Sequence, residues 1–135
     1  MSDALNLAAR VKAARRVYVI GNGGSFANAA HICNDLLNVG VRAYTLDPAT
    51  LTASANDHGF DTVFARWLAT VGEPGDMLLA LSGSGTSPNI LRAIDKAREI
   101  GMDFHLETNY LRKMDMQASE EAQLYLGHFL MRAIR

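Results

Sequence analysis

Two short apolar runs in this chain end in nearly the same way. VYVI (17–20) runs into GNGGS (21–25), MLLALS (77–82) runs into GSGTS (83–87), and each turn opens a helical pattern. An apolar strand that turns directly into a helix is half of a βαβ unit. Two of them require a parallel sheet with helices on both faces.

The rest of the chain repeats the alternation. Residues 3–15 have helical composition, with Leu5, Leu7, Ala8, Val11 and Ala14 broadly on one face. Ser25 to Asn38 predicts a helix with Gly40 at its end, and VRAYTL (41–46) a strand closed by Asp47-Pro48. A short helix around 49–56, the loop NDHG (56–59), a helix from Phe60 to Val71 and the turn GEPGD (72–76) follow. Pro88 stands where a first-turn proline is tolerated in a helix over 88–101. DFHLE (103–107) predicts a fourth strand, and most of 111–134 a closing helix. With no linker, low-complexity tract or solenoid repeat, residues 1–135 read as one domain.

Composition removes several classes. A formal charge of -1 with 49% apolar residues points away from nucleic acid and from anionic membranes as general partners. The single cysteine, Cys33, excludes an internal disulfide framework and fits a reducing compartment. No apolar run reaches a spanning length, and MSDALNLAARVKAARR lacks the apolar core of a signal peptide, so a cytoplasmic location is expected.

The turns carry the chemistry. Glycine lets backbone N–H groups approach a ligand, and a helix N-terminus presents unpaired donors and partial positive charge. Ser82, Ser84, Thr86 and Ser87 add four hydroxyls within six residues. That combination suits a phosphate ester. Neither turn has a P-loop lysine, and GNGGSF has Phe26 where the dinucleotide pattern needs its last glycine, so no nucleotide cofactor is expected.

Behind the first turn, His31 and Asp35 stand at i and i+4 and share a helix face. On the last helix, Glu120 and His128 are separated by about 80° of rotation, whereas Glu121 and His128 are nearly in line. Two imidazoles and two carboxylates can make a zinc site, although such residues are more often structural or solvated. His58 and His105 read as loop and strand-end residues. Met114, Met116 and Met131 read as core or interface filling.

Taken together, GNGGS with its downstream histidine and acid, NDHGFDTVFARW, GDMLLALSGSGTSPNILRAIDKAREIGM and EEAQLYLGHFLMRAI resemble the sugar isomerase (SIS) domain, nearest the phosphoheptose isomerases. The resemblance covers about 16–102 and resumes at 120–134. It implies a three-layer αβα fold on a flavodoxin-like parallel sheet. A fifth strand finds no counterpart here, so four strands in the order 2-1-3-4 are expected.

The resemblance also implies roles. The serine-rich turn, here Ser82, Gly83, Ser84 and Ser87, would hold the sugar phosphate. Asn22, Gly23, Gly24 and Ser25 would enclose the substrate, and Asn56 and Asp57 would reach the sugar. Asp35 and His128 fall on the acid/base pair of an aldose–ketose isomerisation. In members that bind zinc the ligands fall on His31, Asp35, Glu120 and His128; spacing alone prefers Glu121 to Glu120. Asp35 replaces the family's glutamate and Glu120 its glutamine, while Gly83 and Thr86 replace commoner residues. Sites shared in a homodimer or homotetramer are implied, with His128 a candidate to come from a neighbouring chain. The alternative from another class is a non-catalytic SIS domain that senses phosphosugars or binds a protein partner.

Overall fold

A computed structural model describes residues 3–108 and 115–135. β1 (Val17–Ile20) and β3 (Met77–Leu81) pair at the centre of a parallel sheet, with β2 (Ala43–Tyr44) and β4 (Asp103–Glu107) outside them. The order β2-β1-β3-β4 is the one expected. The helices among the described residues are α1 (Asp3–Ala13), α2 (Gly24–Leu37), α3 (Pro48–His58), α4 (Val63–Val71), α5 (Pro88–Ile100) and α6 (Met116–Ile134).

Alternate strand residues feed two cores, as the period of a strand dictates. Val17, Val19, Met77, Leu79 and Leu81 pack with Leu7, Val11, Ile32, Leu36 and Leu130 of α1, α2 and α6. Tyr18, Ile20, Leu78 and Ala80 pack with Phe64, Leu68, Ile90 and Ala93 of α4 and α5. Because β1 and β3 are buried on both faces, their sequences are unbroken apolar runs. Arg10 ties α1 to β4 through two hydrogen bonds to the Asp103 carboxylate, at 2.9 and 2.7 Å. Cys33 is a free thiol in the α2 face, and burial pushes its pKa up to about 12.

Local departures from expectation have local causes. β2 keeps two ladder residues and not six, because Thr45 turns its hydroxyl to the Val19 carbonyl at 2.7 Å in place of backbone pairing. Asp47 caps α3 by accepting from the Thr50 N–H at 2.9 Å, and the helix runs on to Gly59, whose φ of 94° ends it. His58 therefore closes a helix and does not sit in a loop. Phe60–Thr62 forms a 3₁₀ turn before α4, so the helix expected from Phe60 begins at Val63. His105 lies mid-strand in β4, its Nε2 3.0 Å from Glu107 Oε1. Asp115 caps α6 by accepting from the Ala118 N–H at 2.8 Å. Met114 and the expected helical residues 111–114 lie outside the described residues.

Candidate functional site

The pairing of Ile20 with Ala80 brings the turns after β1 and β3 side by side at the carboxyl ends of the strands. This is the crevice where ligands of open α/β sheets bind. Asn22 of the first turn and Asn89 of α5 exchange two amide hydrogen bonds at 2.9 and 2.8 Å, locking the turns together. Gly21 is obligatory in that turn, since a Cβ there would meet the Ser25 carbonyl oxygen at 2.6 Å. Gly23 adopts φ 58°, ψ -122° as the residue before α2, a backbone that favours glycine.

Between the turns lies a small hollow of about 80 Å³ lined by Asn22, Ser25, Leu81, Ser82, Gly83, Ser84, Ser87 and, from α6, Met116. The Ser82 hydroxyl accepts from the Gly85 N–H at 3.1 Å and the Ser84 hydroxyl from the Thr86 N–H at 3.2 Å. Ser87 stands at the N-cap of α5 without spending its side chain on the cap. Gly83 is glycine because Ser119 of α6 packs against it: a Cβ would come 2.7 Å from the Ser119 hydroxyl oxygen. The N-termini of α2 and α5 both open here, which favours an anion.

Further along α2, three side chains converge. His31 Nε2 and His128 Nε2 are 3.3 Å apart, and each is 3.5 Å from Asp35 Oδ2. All three belong to one chain, so His128 need not come from a neighbour. Ligand atoms about 3.3–3.5 Å apart are what tetrahedral bonds of about 2.0–2.2 Å to zinc produce. Asp35 is buried and its Oδ2 has no hydrogen-bond partner, an orphan that a cation would satisfy. The imidazoles are half exposed, so the cluster stays open to solvent. These residues therefore fit a metal ion with an open position. The approach depends on Gly127, whose absent Cβ would sit 2.6 Å from Ile32 Cγ1 and hold α6 away from α2.

Other expected site residues lie elsewhere. Glu120 does not join the cluster. Its carboxylate rests on Gly24 at the start of α2, occupying the place a Cβ would take. Eight residues along α6 carry it about 12 Å from His128 and about 80° around the helix, which explains the separation. Glu121 is exposed and also outside the cluster. Asn56 and Asp57 lie exposed at the end of α3, where Asn56 Nδ2 donates to Asp57 Oδ1 at 3.1 Å. Met116 is 56% exposed and borders the hollow, so it is not core filling. Roomier hollows of about 430, 650 and 340 Å³ share no residue with this hollow or with the cluster.

Sequence reasoning passed over Asn28, Asn89, Gln123 and Gly127. Gln123 is fully buried and bonds both Asn28 and Ser25. An amide on the α6 face that also carries Gly127, Leu130 and Ile134 was the available signal.

The fold is a doubly wound parallel α/β domain with two glycine- and serine-rich turns side by side at the strand ends and a His-Asp-His group open to solvent. The chain belongs to the SIS domain family, whose model matches residues 2–104. It is 42% identical over 107 residues to a phosphoheptose isomerase of Bradyrhizobium sp. (strain BTAi1), covering 73% of this chain and 54% of the relative. A second, from Nitratidesulfovibrio vulgaris, is 39% identical over 107 residues, 73% of this chain and 51% of that one. The chain thus spans about half the length of the curated relatives it matches. Among solved structures, a phosphoheptose isomerase from Francisella tularensis superposes with a TM-score of 0.87 at 30% identity, covering 97% of this chain and 84% of the other. The phosphoheptose isomerase of Neisseria gonorrhoeae gives 0.88 at 26% identity over the same shares.

Proposed function

We propose that this chain is the core of a phosphosugar aldose–ketose isomerase, acting on sedoheptulose 7-phosphate to give D-glycero-D-manno-heptose 7-phosphate. The observation that carries the reading is the seam between α2 and α6. It begins at the anion cradle with Ser25 and ends at the cluster of His31, Asp35 and His128. Six helical residues from Ser25 to His31 rise about 9 Å, comparable to the reach of a seven-carbon sugar from its terminal phosphate to its carbonyl end. The names of the relatives support the same substrate class.

In this reading Ser82, Gly83, Ser84 and Ser87 grip the phosphate, and Asn22, Gly23, Gly24 and Ser25 enclose the sugar. Binding energy spent remote from the reaction then positions the reacting carbons. Asp35 and His128 move the proton between the two carbons that make up the enediolate, and His31 keeps them in register. His31, Asp35 and His128 would hold a zinc ion, which when bound supplies Lewis acidity toward the sugar oxygens. Glu120 stays at the start of α2. Its charge beside the cradle favours substrate hydroxyls over a second phosphate.

Asn56 and Asp57 are assigned to the sugar in a neighbouring copy's site. α3, which carries them, buries no residue within the chain. A homodimer or homotetramer would cover that helix. No described helix is long and apolar enough to cross a membrane, and we place the protein in the cytoplasm on its single cysteine and proposed substrate class.

The test is proton-NMR turnover of sedoheptulose 7-phosphate in heavy water, with zinc and after chelation. Conversion to the aldose with deuterium entering beside the carbonyl is the expected result. Saturable binding without turnover would instead assign a sensor or scaffold role.

A further inference from the structure

A hydroxyl can face an anion only if its proton is not already committed, and a short chain of buried amides determines this for Ser25. The chain starts at the backbone carbonyl of Glu120, which can only accept. Asn28 Nδ2 lies 2.9 Å from it, which identifies that end of the side chain as the donor. The same Nδ2 is 2.9 Å from Gln123 Oε1, so Gln123 presents its amide nitrogen in the other direction. There Gln123 Nε2 donates to Ser25 Oγ at 3.0 Å.

All three side chains are shielded from water: Gln123 is 0%, Ser25 5% and Asn28 8% exposed. Turning any one of them would set donor against donor or acceptor against acceptor in a dry place. Ser25 Oγ therefore accepts within the protein and keeps its own O–H to give. It gives into the hollow between the two turns, which it lines. Ser82 and Ser84 each accept a backbone N–H as well. Ser82 Oγ and Ser84 Oγ also lie 3.5 Å apart, so one of that pair spends its proton on the other, whereas Ser25 keeps its own.

We propose that Asn28 and Gln123 are positioning residues that fix Ser25 as a hydrogen-bond donor to the phosphate of the substrate. The proposal rests on reading the two turns as a phosphate cradle, and it extends that cradle to residues that never touch the ligand. It also gives that point of the cradle a selectivity: a hydroxyl fixed as a donor favours an ionised phosphate oxygen over a group that must itself donate.

The experiment measures calorimetric affinity for sedoheptulose 7-phosphate and for inorganic phosphate, with kcat and KM from turnover, in S25A, S84A, Q123E, Q123M and S25A/Q123E. Loss of one hydrogen bond to a charged group weakens binding about tenfold in S25A. Gln123→Glu offers only acceptors to both neighbours and turns the Ser25 proton inward. It should match S25A, raise KM with kcat nearly unchanged, and add nothing to S25A in the double variant. Gln123→Met removes the amide without reversing it, leaves the hydroxyl free to rotate, and should cost only about threefold. Where Q123E does not show a native melting transition, Asn28→Asp makes the same reversal from the other end, by turning the Gln123 carbonyl toward Ser25, and carries the same expectation. Equal losses in Q123M and Q123E, wild-type affinity in a folded Q123E, or multiplying losses in the double variant each overturn the proposal. If S84A weakens binding and S25A does not, only this proposal fails; if neither does, the cradle itself is misplaced and the proposed function falls with it.

Discussion

Asn22 and Asn89, 67 residues apart in the chain, hold one another through reciprocal amide hydrogen bonds of 2.9 and 2.8 Å. Each amide satisfies the other's donor and acceptor, so the turn after β1 cannot shift without the start of α5. Asn89→Leu leaves the Asn22 amide unmatched in a half-buried place, at a cost of about 1–3 kcal/mol. Urea denaturation should show that loss, and KM for the phosphosugar should rise while the melting transition stays cooperative. The double change N22L/N89L should recover part of the stability and none of the affinity. Recovery of both would mean the pair holds the fold and not the cradle.

Gly127 makes the cluster possible by letting α6 lie on Ile32. A methyl group at 127 meets Ile32 Cγ1 at 2.6 Å, and such overpacking costs about 1–3 kcal/mol. Gly127→Ala should therefore lower stability and separate His128 from His31, reducing zinc retained after dialysis. Adding Ile32→Ala opens space for the methyl group. The double variant should regain zinc even though the lost isoleucine keeps it less stable than wild type. Zinc retention unchanged in G127A would show that the close crossing is not needed for the cluster.

What the sequence disclosed and what it withheld divide along the range of the interactions. GNGGS and GSGTS announced their turns because glycine freedom and hydroxyl spacing are local properties, and VYVI and MLLAL announced strands because burial on both faces leaves no charged residue. His31 and Asp35 shared a face by helical geometry alone. The partners of Gln123, by contrast, lie 95 and 98 residues away, and no periodicity encodes which residues of α6 meet the first turn of α2. Glu120 shows the same limit. The family alignment put it with the zinc ligands, while the packing of α6 on Gly24 puts it one end of the helix away. β2 was overestimated because Val41 and Leu46 are buried like strand residues while the ladder between them is short.

The Arg10–Asp103 pair gives the fold a pH dependence whose sign follows from its geometry. The Arg10 guanidinium holds the Asp103 carboxyl below its ordinary value of 3.8. A carboxyl depressed in the folded state contributes stability that is fully present above that ordinary value and is lost as pH falls through the lowered one. Both side chains are substantially exposed, so the contribution is on the order of 1 kcal/mol or less. Asp103→Asn should unfold more easily than wild type at neutral pH, and the two stability curves should converge in acid. A constant gap down to pH 2 would assign the loss to packing of α1 on β4.

Asp35 offers the sharpest separation of stability from function. Its Oδ2 is buried, unbonded, and equidistant from two imidazoles, an arrangement that costs the fold and is kept where a site needs it. Asp35→Asn removes the charge at nearly constant shape and can place a donor toward an imidazole nitrogen. The variant should melt at the wild-type temperature or above it in metal-free buffer. It should also lose stoichiometric zinc and the proposed turnover together, while inorganic phosphate still binds at the cradle. Thermal melts, metal analysis after dialysis and calorimetry on one preparation decide the matter. A variant that unfolds early and also fails to bind phosphate would make Asp35 a structural residue of α2, and would leave the two imidazoles without the carboxylate that makes them a site.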